Sequence, residues 1–333
     1  MIRNLAPLAL ISLISSITST LLPCDSFFCS THELVIEPTE RDYTPVDIRH
    51  RNGVTVLKFG RDPEAGREYP DLLPGTKTCG KYTVNRIRAG QQAALREFPW
   101  MAIIRYDKMV HPGCIGTLIS KRYVLTAAQC ARSDWKPYQV RLGEHTVGRD
   151  RDCSLKDAKD CAPPVRDYDI ESIVEHWNHN ASVNTNDTAL LRLKSDVTFE
   201  DHIQPICLPT TTTLKNIKLE KYIISGWGWN EHYSTNTVLQ KATIPLQDNS
   251  KCWISGAALD ESHLCAGGTT SGGTCMGDIG VPLGGVTRIE GSGPRFVQFG
   301  IASRDMQSCG VPGTTIYTKV AYFMDWIRAN MEP

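Results

Sequence analysis

Short apolar segments alternate with turns along the chain from Ile87 onward. "PWMAIIRY", "CIGTLIS", "YVLTAA", "YQVRLGEH", "TALLRL", "YIISGWG" and "QFGIAS" are rich in Ile, Val, Leu and Tyr, and turn residues separate them. Runs of roughly four to eight such residues between turns predict strands, and many of them in succession predict an all-β barrel or sandwich. The period changes at the end of the chain. In "VAYFMDWIRANM" the side chains of Val320, Phe323, Met324, Trp326 and Ile327 fall at helical spacing, which predicts a C-terminal amphipathic helix. Residues 21–86 are different again: "EPTERDYTPVD" and "GRDPEAGREYPDLLPGTK" are polar and turn-rich. A stretch of that length and composition cannot bury a core of its own. It is expected to be a partly extended prosegment or a small module pinned by disulfides.

The first twenty residues, "MIRNLAPLALISLISSITST", place Arg3 ahead of an apolar run that reaches Ile17, then end in small residues. That layout predicts a cleaved secretory signal over residues 1–20 and an extracellular protein. The run is too short and interrupted to span a bilayer comfortably. Twelve cysteines fit an oxidising compartment, where an even count reads as a disulfide framework. Neither CxxC nor HxxxH spacing occurs, so structural zinc is not expected. Over 333 residues the formal net charge is zero, with 41% hydrophobic and 22% charged residues. That balance belongs to a soluble globular protein and points to neither nucleic acid nor a membrane surface as a partner.

Four motifs carry chemistry: "YVLTAAQC" ending at Cys130, "NDTALLRL" beginning at Asn186, "ISGWG" at 224–228, and "CMGDIGVP" from Cys275 to Pro282. In this order and spacing they resemble the chymotrypsin-like serine proteases, over the region from about Ile87 to Pro333. "EFPWMA", "RLGEH…DC…DCAPPV" and "YTKV…FMDWI" resemble, more narrowly, the clip-domain proteases of arthropods. The resemblance implies two Greek-key, six-stranded β-barrels with the site between them and a C-terminal helix. It also implies a layout of signal peptide (1–20), disulfide-tethered prosegment (21–86) and serine protease-like domain (87–333). A clip module has six cysteines and this prosegment has too few, so the clip is expected to be degenerate or absent.

The chemistry of such proteases needs a nucleophilic serine, a histidine base and an aspartate that orients the imidazole. The resemblance puts these roles at Ile279, Gln129 and Asp187. A glutamine amide has no lone pair that titrates near neutral pH, and isoleucine has no nucleophilic atom. Val281 also replaces the second glycine of the "GDSGGP" pattern. The specificity-pocket position falls on Gly273, which offers a basic side chain no counter-charge. The strand that pairs with substrate aligns with Ser303, Arg304 and Asp305, and a pocket-wall glycine aligns near Thr315. These features predict a non-catalytic homologue acting as a binding or regulatory cofactor, and the resemblance to clip-type homologues implies an extracellular cascade of immunity, melanisation or development. The alternative is an active serine endopeptidase with a relocated nucleophile, Ser271 or Thr274, although no histidine is placed to activate either.

Other features look retained. The resemblance makes Arg86–Ile87 a cleavage site for a trypsin-like protease, whose new amine at Ile87 would pair with Asp278. It implies the disulfides Cys79–Cys207, Cys114–Cys130, Cys153–Cys161, Cys252–Cys265 and Cys275–Cys309, which leaves Cys24 for Cys29. Asn180-Ala181-Ser182 is a glycosylation sequon in a polar loop; Asn186-Asp187-Thr188 also matches, but Asp187 is expected to be buried. No metal cofactor is expected. The acidic loop from Glu144 to Asp160 reads as solvated charge, with calcium as the alternative offered by some relatives. His145, His176, His179 and His202 read as scattered surface residues. The expected partner is a protein: another protease, a proenzyme or a recognition protein.

Overall fold

The alternating segments close into two sheets. The computed structural model describes residues 56–60, 63, 67–82, 91–106, 113–131, 137–149, 151–154, 157–183, 185–228, 236–254, 257–268, 279–305 and 313–333. Its strands are β1 (Val56–Phe59), β2 (Gln91–Gln92), β3 (Met101–Tyr106), β4 (Cys114–Leu118), β5 (Tyr123–Thr126), β6 (Pro137–Leu142), β7 (Arg166–Glu175), β8 (Ala189–Leu193), β9 (Lys221–Gly226), β10 (Gln240–Gln247), β11 (Trp253–Ile254), β12 (Ala257–Ala258), β13 (His263–Gly267), β14 (Pro282–Ile289), β15 (Gly293–Asp305) and β16 (Thr314–Lys319). The helices are short: α1 (Ala128–Ala131), α2 (Thr212–Asn216) and α3 (Met324–Ala329).

The first sheet runs β7-β6-β3-β4-β5-β8 and closes where β8 pairs back with β7; the second runs β13-β16-β15-β14-β9-β10 and closes through β10 and β13. Each is a six-stranded antiparallel barrel, and closure removes the exposed edges that invite aggregation. Their interiors meet in one apolar cluster that includes Trp100, Ile115, Leu125, Leu190, Phe296 and Tyr317. The site lies where α1 and the loop before β8 from one barrel meet β15 from the other.

Upstream residues are built into this body. β1 adds a parallel strand to β7, Val56 against Ser172 through Phe59 against Glu175. Gly60 packs so closely on Trp326 that an added Cβ would meet the indole at 2.6 Å. Residues 72–82 form a strap whose Leu72, Leu73 and Tyr82 pack on the barrel core. Gly80 exchanges backbone bonds with Pro205 and Phe296, and the Tyr82 hydroxyl donates to Glu97 at 2.8 Å. Glu97 is in turn paired with Lys241 at 2.5 Å, both side chains almost wholly buried. The described part of the stretch, residues 56–60 and 67–82, therefore borrows the core of the barrels.

The C-terminal helix is shorter than the apolar spacing predicts. Tyr322 and Phe323 donate to Lys319 and Val320, so residues 319–323 make tight turns and the helix begins at Met324. Met324, Trp326 and Ile327 still form its buried face.

Candidate functional site

Helix α1 follows β5 directly and carries Gln129 to the junction of the barrels. The backbone N–H of Gln129 donates to Asp187 Oδ1 at 2.9 Å. Its carboxamide Nε2 donates twice, to Asp187 Oδ2 at 2.6 Å and to the backbone oxygen of Ser303 at 2.6 Å. Both partners are pure acceptors, so the nitrogen must face them and both of its hydrogens are engaged. Ser303 adds its hydroxyl to Asp187 Oδ2 at 2.5 Å, and Thr318 Oγ1 donates to the Asp187 backbone oxygen at 2.9 Å. Asp187 is completely buried. Burial pushes its carboxyl up from the ordinary range, against the opposing bonds from Ser303 and Gln129 and the nearby His179.

Ser303 can serve Gln129 because β15 slips its register against β16 there: Ala302 faces Tyr317, but Arg304 faces Ile316. The bulged residue drops out of the ladder and turns its carbonyl across to the other barrel. Gln129 thus clamps the two barrels together. A histidine ring would have one N–H to offer in that direction; the carboxamide has two.

Ile279 is half-buried and packs against the core. Its backbone oxygen accepts from Ile115 at 2.9 Å, a second bridge between barrels. Gly280 beside it has φ +87°, and an added Cβ would lie 1.9 Å from the Ile115 oxygen. Only glycine fits that turn. Val281 is buried, and Thr315 is buried within β16. Arg304 and Asp305 lie in β15. Arg86, Ile87, Ser271, Gly273, Thr274, Cys275 and Asp278 lie outside the described residues, as do Cys24, Cys29 and Cys309. The structure joins Cys79 to Cys207, Cys114 to Cys130, Cys153 to Cys161 and Cys252 to Cys265.

The histidines are not scattered over the surface, and this corrects the sequence reading. His176 and His202 are buried. His145 Nε2 lies 3.0 Å from the Ala93 oxygen. His179 belongs to the site: its side chain is 1% exposed, with Nδ1 2.9 Å from Glu175 Oε1 and Nε2 3.6 Å from Asp187 Oδ1. Asp187 is therefore hydrogen-bonded by Gln129 and Ser303 and flanked, beyond hydrogen-bond distance, by an imidazole that Glu175 orients. The only signal in the sequence was Glu175, His176 and His179 crowded just ahead of the Asp187 motif.

The acidic loop needs a second correction. Asp157 and Asp160 are exposed, but Glu144 and Asp152 are buried instead of solvated. Asp152 Oδ2 accepts from the backbones of His145 and Thr146, and Glu144 Oε2 lies 3.5 Å from Arg141. Burial, then the neighbouring Asp152, pushes the Glu144 carboxyl up. Glu144 Oε1 and Asp152 Oδ1 are buried without a hydrogen-bond partner, which suits a cation. Two carboxylates are fewer than the six to eight oxygens that calcium takes, and no group of three or more His, Cys, Asp or Glu converges among the described residues. No described helix is long and apolar enough to cross a membrane.

Two closed barrels with a polar cluster at their junction define the chymotrypsin-like architecture. The chain belongs to the trypsin family, whose sequence model matches residues 87–327. It is 38% identical over 264 residues to "Serine protease grass" of Drosophila melanogaster, covering 76% of this chain and 70% of that protein. It is 36% identical over 280 residues to "Melanization protease 1" of the same organism, covering 78% and 69%. The crystal structure of the Drosophila Grass clip serine protease of the Toll pathway superposes with a TM-score of 0.69 at 36% identity, covering 77% of this chain and 75% of that one. Its relatives include clip-domain serine proteases of insects.

Proposed function

We propose that this protein is a non-catalytic member of the family. It is secreted and works as a binding or regulatory cofactor in an extracellular proteolytic cascade of immunity, melanisation or development. The observation that carries the reading is the Gln129 amide, with both hydrogens engaged on Asp187 and Ser303. No base remains at that position, and Ile279 supplies no nucleophile. Gly273 leaves the specificity pocket without a counter-charge. Cleavage after Arg86 by a trypsin-like protease is the switch, with the new amine of Ile87 pairing with Asp278. The partner is another protease, a proenzyme or a recognition protein; relatives whose names invoke melanisation and the Toll pathway support that placement.

The test is reconstitution. Intact protein and protein cleaved after Arg86 are each added to a clip-protease zymogen and its activating protease, and the activation rate is followed. The reading predicts that the cleaved form alone changes the rate. No effect from either form, or peptide hydrolysis by the protein itself, contradicts it.

A further inference from the structure

Two sequons lie six residues apart in the loop between β7 and β8, and the structure treats them differently. Asn180 is exposed, as are Ala181 and Ser182. The turn that presents it is fixed by Asn180 N donating to Thr185 at 3.1 Å, Val183 N to Asn180 at 3.3 Å, and Ser182 N to Asn180 Oδ1 at 3.0 Å. The Asn180 Oδ1 is used in the turn, while its Nδ2 makes no hydrogen bond among the described residues. Asn186 is the reverse case. Its Nδ2 donates to the Asn178 oxygen at 2.9 Å, and its φ of 53° is a left-handed conformation held by that contact. The two residues completing its sequon, Asp187 and Thr188, are both fully buried.

We infer that Asn180 carries an N-linked oligosaccharide and Asn186 does not, so that a sugar stands at the rim of the Gln129–Asp187 site. This rests on the reading that the chain is secreted. The transferase joins Nδ2 to C1 of the first sugar of a lipid-pyrophosphate-linked oligosaccharide: the sugar–phosphate bond breaks, the lipid pyrophosphate leaves, and the amide nitrogen gives up one proton; that nitrogen is available at Asn180 without disturbing the turn. At Asn186 the same bond would displace the contact to Asn178 and force the loop away from Asp187. The position matters because Asn180 follows His179 immediately, and His179 packs against Asp187. A hydrated oligosaccharide rooted there screens the loop side of the site, and a protein partner must approach from another side.

The full chain, with its own N-terminus, is expressed in insect cells. Protein from medium and cells is treated with peptide N-glycosidase in ¹⁸O water, and each asparagine is read by mass spectrometry. The expected result is ¹⁸O-labelled aspartate at position 180 and unmodified Asn186. Ser182→Ala removes the modification without touching Asn180, and Thr188→Ala leaves the mass of the glycan unchanged. Modified Asn180 in the cells, with none of the protein in the medium, keeps the inference and removes secretion. Unmodified Asn180, or a sugar on Asn186, in either fraction overturns the inference.

Discussion

Replacing Gln129 with alanine removes the clamp and leaves everything around it. Two hydrogen bonds disappear: one to the buried Asp187 carboxylate and one to the Ser303 carbonyl. A bond to a charged group contributes roughly 1.5–3 kcal/mol and a neutral one roughly 0.5–1.5 kcal/mol. Gln129 is only half-buried, and Asp187 keeps its bonds from Ser303 and the backbone of residue 129, so the loss should be about 2–4 kcal/mol. For a domain of this size that lowers Tm by roughly 5–15 °C. Gln129→His is expected to fall between, because one ring N–H can reach Asp187 but not also Ser303. Gln129→Glu should be worse than alanine, since it sets a second carboxylate against a buried one. The assay is urea unfolding at pH 7 with disulfides intact, followed by tryptophan fluorescence. If alanine stays within about 1 kcal/mol of the parent, Gln129 does not clamp the two barrels.

Three further perturbations follow from the same structure. His176 is packed against Trp177, Phe323 and Trp326, and its Nδ1 accepts from the Asn178 N–H. Burial, helped by His179, lowers its pKa to about 4. The folded state favours the neutral ring, so its contribution is complete above the unfolded pKa of 6.5 and is lost as pH falls toward 4. Between pH 7 and 5 this amounts to about 2 kcal/mol, which His176→Asn should remove from the pH dependence of urea unfolding. Lys241→Met leaves Glu97 buried beside Tyr82 without its cation and should cost about 3–5 kcal/mol, whereas replacing Lys241 and Glu97 together with apolar residues should cost much less; a double-mutant cycle reads the difference. Gly280→Ala drives a Cβ into the Ile115 oxygen, and secretion yield should collapse, while the same change at exposed-turn Gly291 should be milder because nothing lies within 4 Å.

Much of the fold was legible because the decisive signals are local. The apolar runs that became β3, β4, β5, β6, β8 and β9 announce themselves by β-branched and aromatic residues between turns. β7 was hidden because its first half, "RDYD", is polar and solvent-facing, while β14 carries Gly284 and Gly285 against the ring of Phe296 and the side chain of Leu219. β10 has Pro245 within it, which argues against a strand when read alone. The replacements at Gln129 and Ile279 could be read from their motifs. Their consequences could not: the second hydrogen bond of Gln129 depends on a bulge in β15 that is 174 residues away in sequence. His179 was misread for the same reason, because burial is decided by what folds over a residue and not by its own polarity.

The central claim is that the scaffold is kept and the chemistry is absent. A fluorophosphonate probe, which reacts only with an activated serine, tests it most directly on intact protein and on protein cleaved after Arg86. The account predicts no labelling of either form under conditions that label trypsin to completion. Stoichiometric labelling of the cleaved form, mapped to Ser271 or any other serine, would contradict it.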